Sequence, residues 1–72
     1  MEIIIFGGGM MGEAIAFDLF NHSNYFINIV ENSSHRIKFL KNRFSKFNDK
    51  FTIHALDIIN DISLITELLN KS

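Results

Sequence analysis

The sequence predicts an α/β protein with a parallel sheet, and three observations support this prediction. Short apolar segments alternate three times with longer segments whose apolar residues recur every three or four positions, which is the pattern of strands followed by helices. The chain contains no proline that would interrupt these segments. A run of glycines joins the first apolar segment to the first helical one. Strands separated by helices pair in parallel through right-handed crossovers, so we expect one sheet of three strands.

The first strand is predicted at residues 3–6, an apolar and mostly β-branched run that is typical of a buried strand. The helix after the glycines is expected to end at about Asn21. Its predicted apolar stripe consists of Met11, Ile15 and Leu19, flanked by Gly12 and Ala16. Methionines at such a junction of loop and helix usually pack against their neighbours, so we expect Met10 and Met11 to do so rather than to bind a metal.

The second strand is predicted at residues 25–30, followed by a helix from about Ser33 whose apolar positions are Ile37, Leu40, Phe44 and Phe47. Six of the seven lysines and arginines fall within residues 36–50, which suggests a nucleic-acid-binding helix. A solvated outer helix face explains the cluster better, because the formal net charge of the chain is −1 and nucleic-acid-binding domains are strongly basic. No nucleic-acid partner is therefore predicted.

The third strand is predicted at residues 51–56, after a turn at residues 48–50, and it ends at Asp57. A last helix is expected to begin near Asn60, a residue type that caps helices well. Its apolar stripe consists of Ile62, Ile65 and Leu69.

The length and composition of the chain limit the classes of protein to which it can belong. Its 72 residues suffice for one domain with a thin core. The chain lacks cysteine, which excludes disulfides and thiolate metal sites. Its apolar runs are too short for a membrane span, and its first residues do not resemble a signal peptide, so we expect a cytoplasmic protein with no membrane partner.

Gly7, Gly9 and Gly12 match the pattern G-x-G-x-x-G, which is a weak signal by itself. Here the pattern follows a predicted strand, opens a predicted helix and precedes an acidic residue, Glu31, at the end of the next strand. Gly7 would permit the tight turn, Gly9 would let a diphosphate approach the backbone, and Gly12 would let the helix lie close to the sheet. The pattern therefore predicts a dinucleotide-binding loop.

Main-chain N–H groups around Gly9, Met10 and Met11 would bind the phosphates, helped by the positive end of the helix dipole. Glu31 would accept hydrogen bonds from the ribose hydroxyls and would repel a 2′-phosphate, which favours NAD over NADP. NADP remains possible because Arg36 and Lys38 follow Glu31 closely in the sequence.

The remaining polar candidates are Asp57 and the three histidines. Asp57 at the end of the third strand is either a turn residue or a contact to the adenine side of the cofactor, and its position alone leaves both open. His22, His35 and His54 have no matching serine, cysteine or carboxylate cluster, so we expect structural or surface roles for them. No catalytic residue and no metal site is predicted in this chain.

The segments IIIFGGGMMGEAIAFDLF, INIVENSSHRIKFL and FTIHALDIINDISLITELL together resemble the N-terminal nucleotide-binding half of the saccharopine dehydrogenase and lysine dehydrogenase-like family. The resemblance implies a Rossmann-type sheet with strand order 3-2-1 and NAD(P)-dependent oxidation of a carbon–nitrogen bond. It further implies that Asp57 and Ile58 approach the adenine and that Asn32 and Ser33 line the ribose. Residues 1–72 would then be the N-terminal half of a doubly wound dinucleotide-binding domain, and we expect them to be a fragment of a longer chain that supplies the catalytic domain.

Half of such a domain leaves the first strand as an open edge. We therefore expect this edge to pair with the remainder of a parent chain or with a second copy. The first two helices should share one face of the sheet and the third should lie on the other. The glycine loop and the acidic residue also resemble the nucleotide-sensing regulatory domains of potassium uptake systems, which is the alternative function, and a nucleotide-binding remnant without activity is a third.

Overall fold

The computed structural model describes residues 1–7 and 9–71, and in these ranges three strands alternate with three α-helices. The elements in chain order are β1 (Glu2–Phe6), α1 (Met10–His22), β2 (Phe26–Val30), α2 (Ser34–Arg43), β3 (Phe51–His54) and α3 (Ile62–Lys71). A 3₁₀ helix, Ser45–Lys50, joins α2 to β3 at the position where a turn was predicted. The predicted α/β architecture is confirmed.

The three strands form one parallel sheet in the order β1-β2-β3. Ile5, Ile29 and Ile53 lie opposite one another in register across it. The central strand is the most buried, because it has a neighbour on each side, while β1 and β3 form the edges of the sheet. The apolar run of β2 thus matches its central position.

The main core lies on the sheet face that contains Ile27 and Ile29. These side chains pack with Ala16 and Phe20 of α1 and with Leu40 and Phe44 at the end of α2. The rings of Phe20 and Phe44 meet edge to face with centroids 4.9 Å apart. Because both helices contribute to this cluster, α1 and α2 share one face of the sheet, as the sequence predicts.

The opposite face of the sheet packs against α3. Val30 and His54 are register partners on that face, and His54 borders a cavity of about 270 Å³ together with Leu64 and Leu68 of α3. Ile65 is buried, whereas Ile62, Leu64 and Leu69 remain largely exposed. The third helix therefore leaves apolar surface uncovered.

The predicted stripe of α1 is buried only in part: Leu19 packs against the core and the flanking Ala16 is buried, but Met11 and Ile15 are not. Met11 and Ile15 are exposed by 79% and 47%, while Ala16 and Phe20 are buried. The difference arises because Gly12 lies directly against the carbonyl oxygen of Gly7. That contact rotates the small residues of the helix toward the sheet and turns the predicted stripe partly outward.

The third strand and the third helix also have shorter bounds than the sequence predicts. β3 ends at His54 and α3 begins at Ile62. Hydrogen bonds between Asp57 and Asp61 shape the loop between them: the N–H of Asp61 donates to the carbonyl of Asp57, and the N–H of Asp57 donates to the Asp61 carboxylate. Asp61, rather than Asn60, therefore lies at the start of α3.

A polar chain that the sequence analysis missed crosses the sheet on the α3 side. The side-chain amide of Asn28, only 4% exposed, donates to the Glu2 carboxylate at 2.9 Å, and its carbonyl oxygen lies 2.9 Å from Nε2 of His54. Both ends of a buried polar group are thus satisfied, which removes the cost of its burial. His54 therefore links β3 to β2, in line with the structural role expected for it.

Among the helices of the described residues, none combines the length and the apolar character that crossing a bilayer requires.

Candidate functional site

A cleft of about 260 Å³ lies where the carboxyl ends of the three strands meet. In open α/β sheets, ligands bind outside this end of the strands. Five of the predicted site residues border the cleft, together with three neighbours that the sequence analysis did not single out. The lining residues are Gly7, Val30, Glu31, Asn32, Leu56, Asp57, Ile58 and Ile59.

The glycine loop leaves β1 through Gly7, whose φ of +89° lies in the left-handed region that favours glycine. The N–H of Gly7 donates to the carbonyl of Val30 at 2.7 Å, which holds the loop against the end of β2. At Gly12, a Cβ atom would collide with the carbonyl oxygen of Gly7 and would press on Ile5. These two glycines are therefore required by the fold of the loop itself.

Gly9 is different, because no contact with the described residues requires a glycine at this position. Its backbone is extended, with φ −71° and ψ −174°, and a Cβ atom built there would meet no described atom within 4 Å. Gly9 is the N-cap of α1 and makes no side-chain capping bond. The first intrahelical hydrogen bond runs from Glu13 to the Gly9 carbonyl, so the N–H groups of residues 10–12 have no partner within the helix.

Glu31 lies just beyond β2 and is held on both sides. Its N–H donates to the carbonyl of His54 at 3.0 Å, and its carboxylate accepts from the N–H of Ser33 at 2.9 Å. These bonds orient the carboxylate at the border of the cleft. Ser33 itself is the N-cap of α2, with its hydroxyl accepting from the N–H of Arg36 at 3.3 Å, and it does not line the cleft.

The carboxylate of Asp57 organises the loop after β3. One oxygen accepts from the N–H groups of Ile59 at 2.7 Å and of Asn60 at 3.1 Å, and the other accepts from the Asn32 amide at 3.2 Å. The N–H groups of Ile59 and Asn60 hold the pKa of the Asp57 carboxyl below its ordinary value, and the Asn32 amide acts in the same direction. This arrangement matches the turn-residue interpretation of Asp57.

The lowered pKa predicts a pH-dependent contribution of Asp57 to stability. A carboxyl whose pKa is lower in the folded state stabilises the fold at pH values above its ordinary pKa of 3.8. This stabilisation is lost as the pH falls through the pKa of the folded state. Urea unfolding should therefore show that Asp57→Asn is less stable than the wild type at pH 7, with the difference shrinking as the pH falls below 3.8. The exposed Asp49, outside the cleft, provides Asp49→Asn as a control. A difference for Asp57→Asn that stays constant with pH would contradict the prediction.

Met10 and Met11 do not pack as the sequence analysis expected. Met10 is 89% exposed, and it borders an open groove along the outer side of α1 with Phe17 and Arg43. Both methionines follow the loop at the first turn of α1, where the contact of Gly12 with Gly7 directs the small residues inward. Neither side chain lines the cleft, so any role in binding belongs to their main-chain N–H groups.

An ion-pair cluster joins α1 to α2 and was not predicted. The Glu13 carboxylate lies 3.5 Å from Nη2 of Arg36 and accepts from Nε of Arg43 at 3.1 Å. Arg36 also stacks over the ring of Phe39, 4.8 Å from its centroid. Arg36 and Arg43, two of the clustered basic residues, thus link α2 to α1. The sequence does not predict this pairing, because both arginines lie more than twenty positions from Glu13.

None of the three histidines lines the cleft. His22 lies 3.8 Å from Asp18 one helical turn away, and both side chains are exposed. His35 borders a groove on the outer side of α2 with Lys38 and Phe39. Within residues 1–7 and 9–71, no group of three histidine or carboxylate side chains could hold a metal ion.

No protein-family model, curated protein or solved structure matches this chain. The similarity to the saccharopine dehydrogenase and lysine dehydrogenase-like family therefore rests on the motif residues alone.

Proposed function

We propose that this chain binds the ADP portion of a dinucleotide, with NAD preferred to NADP, as the N-terminal half of a Rossmann-type domain with strand order 3-2-1. The domain would belong to an oxidoreductase resembling saccharopine and lysine dehydrogenases, whose catalytic groups lie outside these 72 residues. One observation supports the proposal most strongly. Five residues predicted from the sequence as site residues border one cleft at the carboxyl ends of the strands: Gly7, Glu31, Asn32, Asp57 and Ile58.

The phosphate end of the ligand would lie at the N-terminus of α1. Gly9 has open space where a side chain would be, and the first turn of α1 offers N–H groups without intrahelical partners. An approaching diphosphate would therefore meet hydrogen-bond donors and the positive end of the helix dipole without steric obstruction. No described residue fills the open space at Gly9, and a close ligand would account for it.

The sugar end of the ligand would lie beside Glu31. A carboxylate at this place accepts hydrogen bonds from ribose hydroxyls and repels a 2′-phosphate. Arg36, which could have neutralised such a phosphate, is engaged with Glu13 and with the ring of Phe39. Lys38 borders the outer groove of α2 rather than the cleft. These positions support the preference for NAD.

The adenine would lie against the loop after β3. Ile58 and Ile59 are exposed apolar side chains that border the cleft and offer a surface for a flat base. Among the described residues, none accepts a hydrogen bond from the N–H of Ile58. That N–H is suited to an acceptor nitrogen of the base.

Calorimetric titration of the chain with ADP, NAD and NADP tests the proposal. We expect NAD to bind about tenfold more tightly than NADP. Glu31→Gln should lower the affinity for NAD and reduce the ratio of the NAD and NADP affinities, because a neutral amide no longer repels the 2′-phosphate. Glu67→Gln on α3, away from the cleft, should change neither affinity. A folded chain that binds none of the three nucleotides would refute the proposed function.

A further inference from the structure

The loops that follow β2 and β3 are joined by one side-chain hydrogen bond across the cleft border. Nδ2 of Asn32 donates to Oδ2 of Asp57 at 3.2 Å, between residues 25 positions apart in the chain. Asn32 follows directly after Glu31, at the sugar end of the cleft, whereas Asp57 begins the loop at the base end. The bond thus connects the two walls between which the adenosine would lie.

The Asp57 end of this bond is part of a tightly connected loop. Its Oδ1 accepts from two successive N–H groups, those of Ile59 and Asn60. Its own N–H donates to the Asp61 carboxylate at 2.7 Å, and the N–H of Asp61 donates back to the Asp57 carbonyl at 2.8 Å. A movement of the Asp57 carboxylate would therefore move the main chain of residues 58–60 with it.

The Asn32 end is anchored to the sheet. The preceding residue, Glu31, donates its N–H to the carbonyl of His54, the last residue of β3. The following residue, Ser33, donates its N–H to the Glu31 carboxylate and caps α2. Asn32 therefore extends from a main-chain segment fixed on both sides, and its amide can hold the more exposed loop.

We infer that Asn32 is a positioning residue for the adenosine end of the cleft, acting through Asp57 to fix the main chain at Ile58 and Ile59 against which the base would lie. The inference rests on the proposed nucleotide binding and gives both polar residues roles that differ from those the resemblance implies. Asp57 holds the loop instead of contacting the adenine, and the Asn32 amide binds Asp57 instead of the ribose. The ligand class is an adenine nucleotide, and the phosphate end of the site is independent of this bond.

The test compares ADP with inorganic pyrophosphate in calorimetric titrations of the chain. For Asn32→Leu, which removes the amide while keeping the size of the side chain, we expect the affinity for ADP to fall about tenfold and that for pyrophosphate to stay unchanged. Asn32→Asp, which places a second carboxylate beside Asp57, should weaken ADP binding at least as much. Asn48→Leu, at an exposed asparagine outside the cleft, is the matched control.

A second readout is independent of the nucleotide. Carbon NMR titration of the free chain should show that Asn32→Leu raises the pKa of the Asp57 carboxyl toward its ordinary value, while Asn48→Leu leaves it as in the wild type. An unchanged pKa in Asn32→Leu, an unchanged affinity for ADP, or equal losses of ADP and pyrophosphate would each overturn the positioning role. Failure of the wild-type chain to bind ADP would instead refute the proposed function on which this role depends.

Discussion

Gly9→Ala is expected to fold like the wild-type chain and to bind ADP at least about tenfold more weakly. The added methyl group meets no described atom within 4 Å, and the backbone at Gly9 is extended, so the fold tolerates it. Alanine is a poorer N-cap than glycine, and we expect this difference to lower the stability by about 1 kcal/mol or less. The same methyl group would occupy the space that the proposed diphosphate needs.

Gly12→Ala serves as the opposite control within the same motif. Its methyl group would collide with the main-chain carbonyl of Gly7, which cannot move without disturbing the loop. We expect a loss of stability of about 1–3 kcal/mol, even though alanine favours helices, because overpacking against backbone is costly. Urea unfolding and calorimetric titration of both variants separate the two roles. Full ADP affinity in Gly9→Ala would contradict a close approach of the phosphates at that glycine.

Phe44→Ala is expected to have the largest effect on stability of any substitution considered. The Phe44 ring has no exposed surface and meets the rings of Phe20 and Phe51 at centroid distances of 4.9 and 6.0 Å. Removing a buried phenylalanine costs about 3–5 kcal/mol, because the cavity closes only in part. A domain of this size is stable by roughly 4–11 kcal/mol, so the variant should lose much of its folded population.

Phe39→Ala is the matched control, at an exposed phenylalanine of α2. Phe39 is 43% exposed, outside the main core, and contacts the guanidinium of Arg36. We expect its loss to cost about 1 kcal/mol or less, in line with an exposed cation–π contact. Urea unfolding followed by circular dichroism measures both variants. Similar losses for the two would show that the Phe20, Phe44 and Phe51 cluster does not dominate the core.

The strand and helix pattern could be predicted from the sequence because it depends on local spacing. Apolar periodicity placed all three strands and all three helices, with errors confined to their ends. The ends of β3 and α3 were wrong because the hydrogen bonds of Asp57 and Asp61 form a turn that the apolar pattern does not show. Within the α1 stripe, Met11 and Ile15 were wrongly placed because close contact at Gly12, rather than side-chain hydrophobicity, sets the rotation of the helix.

The candidate site was predictable in its membership but not in its bonding. Parallel strands bring their carboxyl ends to one edge, so Gly7, Glu31 and Asp57 could be expected to meet, and the cleft brings them together. The position of Ser33 could not be predicted in the same way, because whether it lines the cleft or caps α2 depends on where that helix begins. The choice of cofactor remains a prediction that the titrations above test, and the resemblance to dehydrogenases remains a prediction as well.

By itself, the sequence determined the alternation of strands and helices and the glycine positions of the loop, since both follow from the conformational preferences of neighbouring residues. Only the tertiary structure decided which polar groups pair. Asn28 lies between Glu2 and His54, Glu13 holds two arginines of α2, and Asn32 holds Asp57. Each pair joins residues more than twenty positions apart, and such contacts form only when packing of the helices and strands brings them within hydrogen-bond distance.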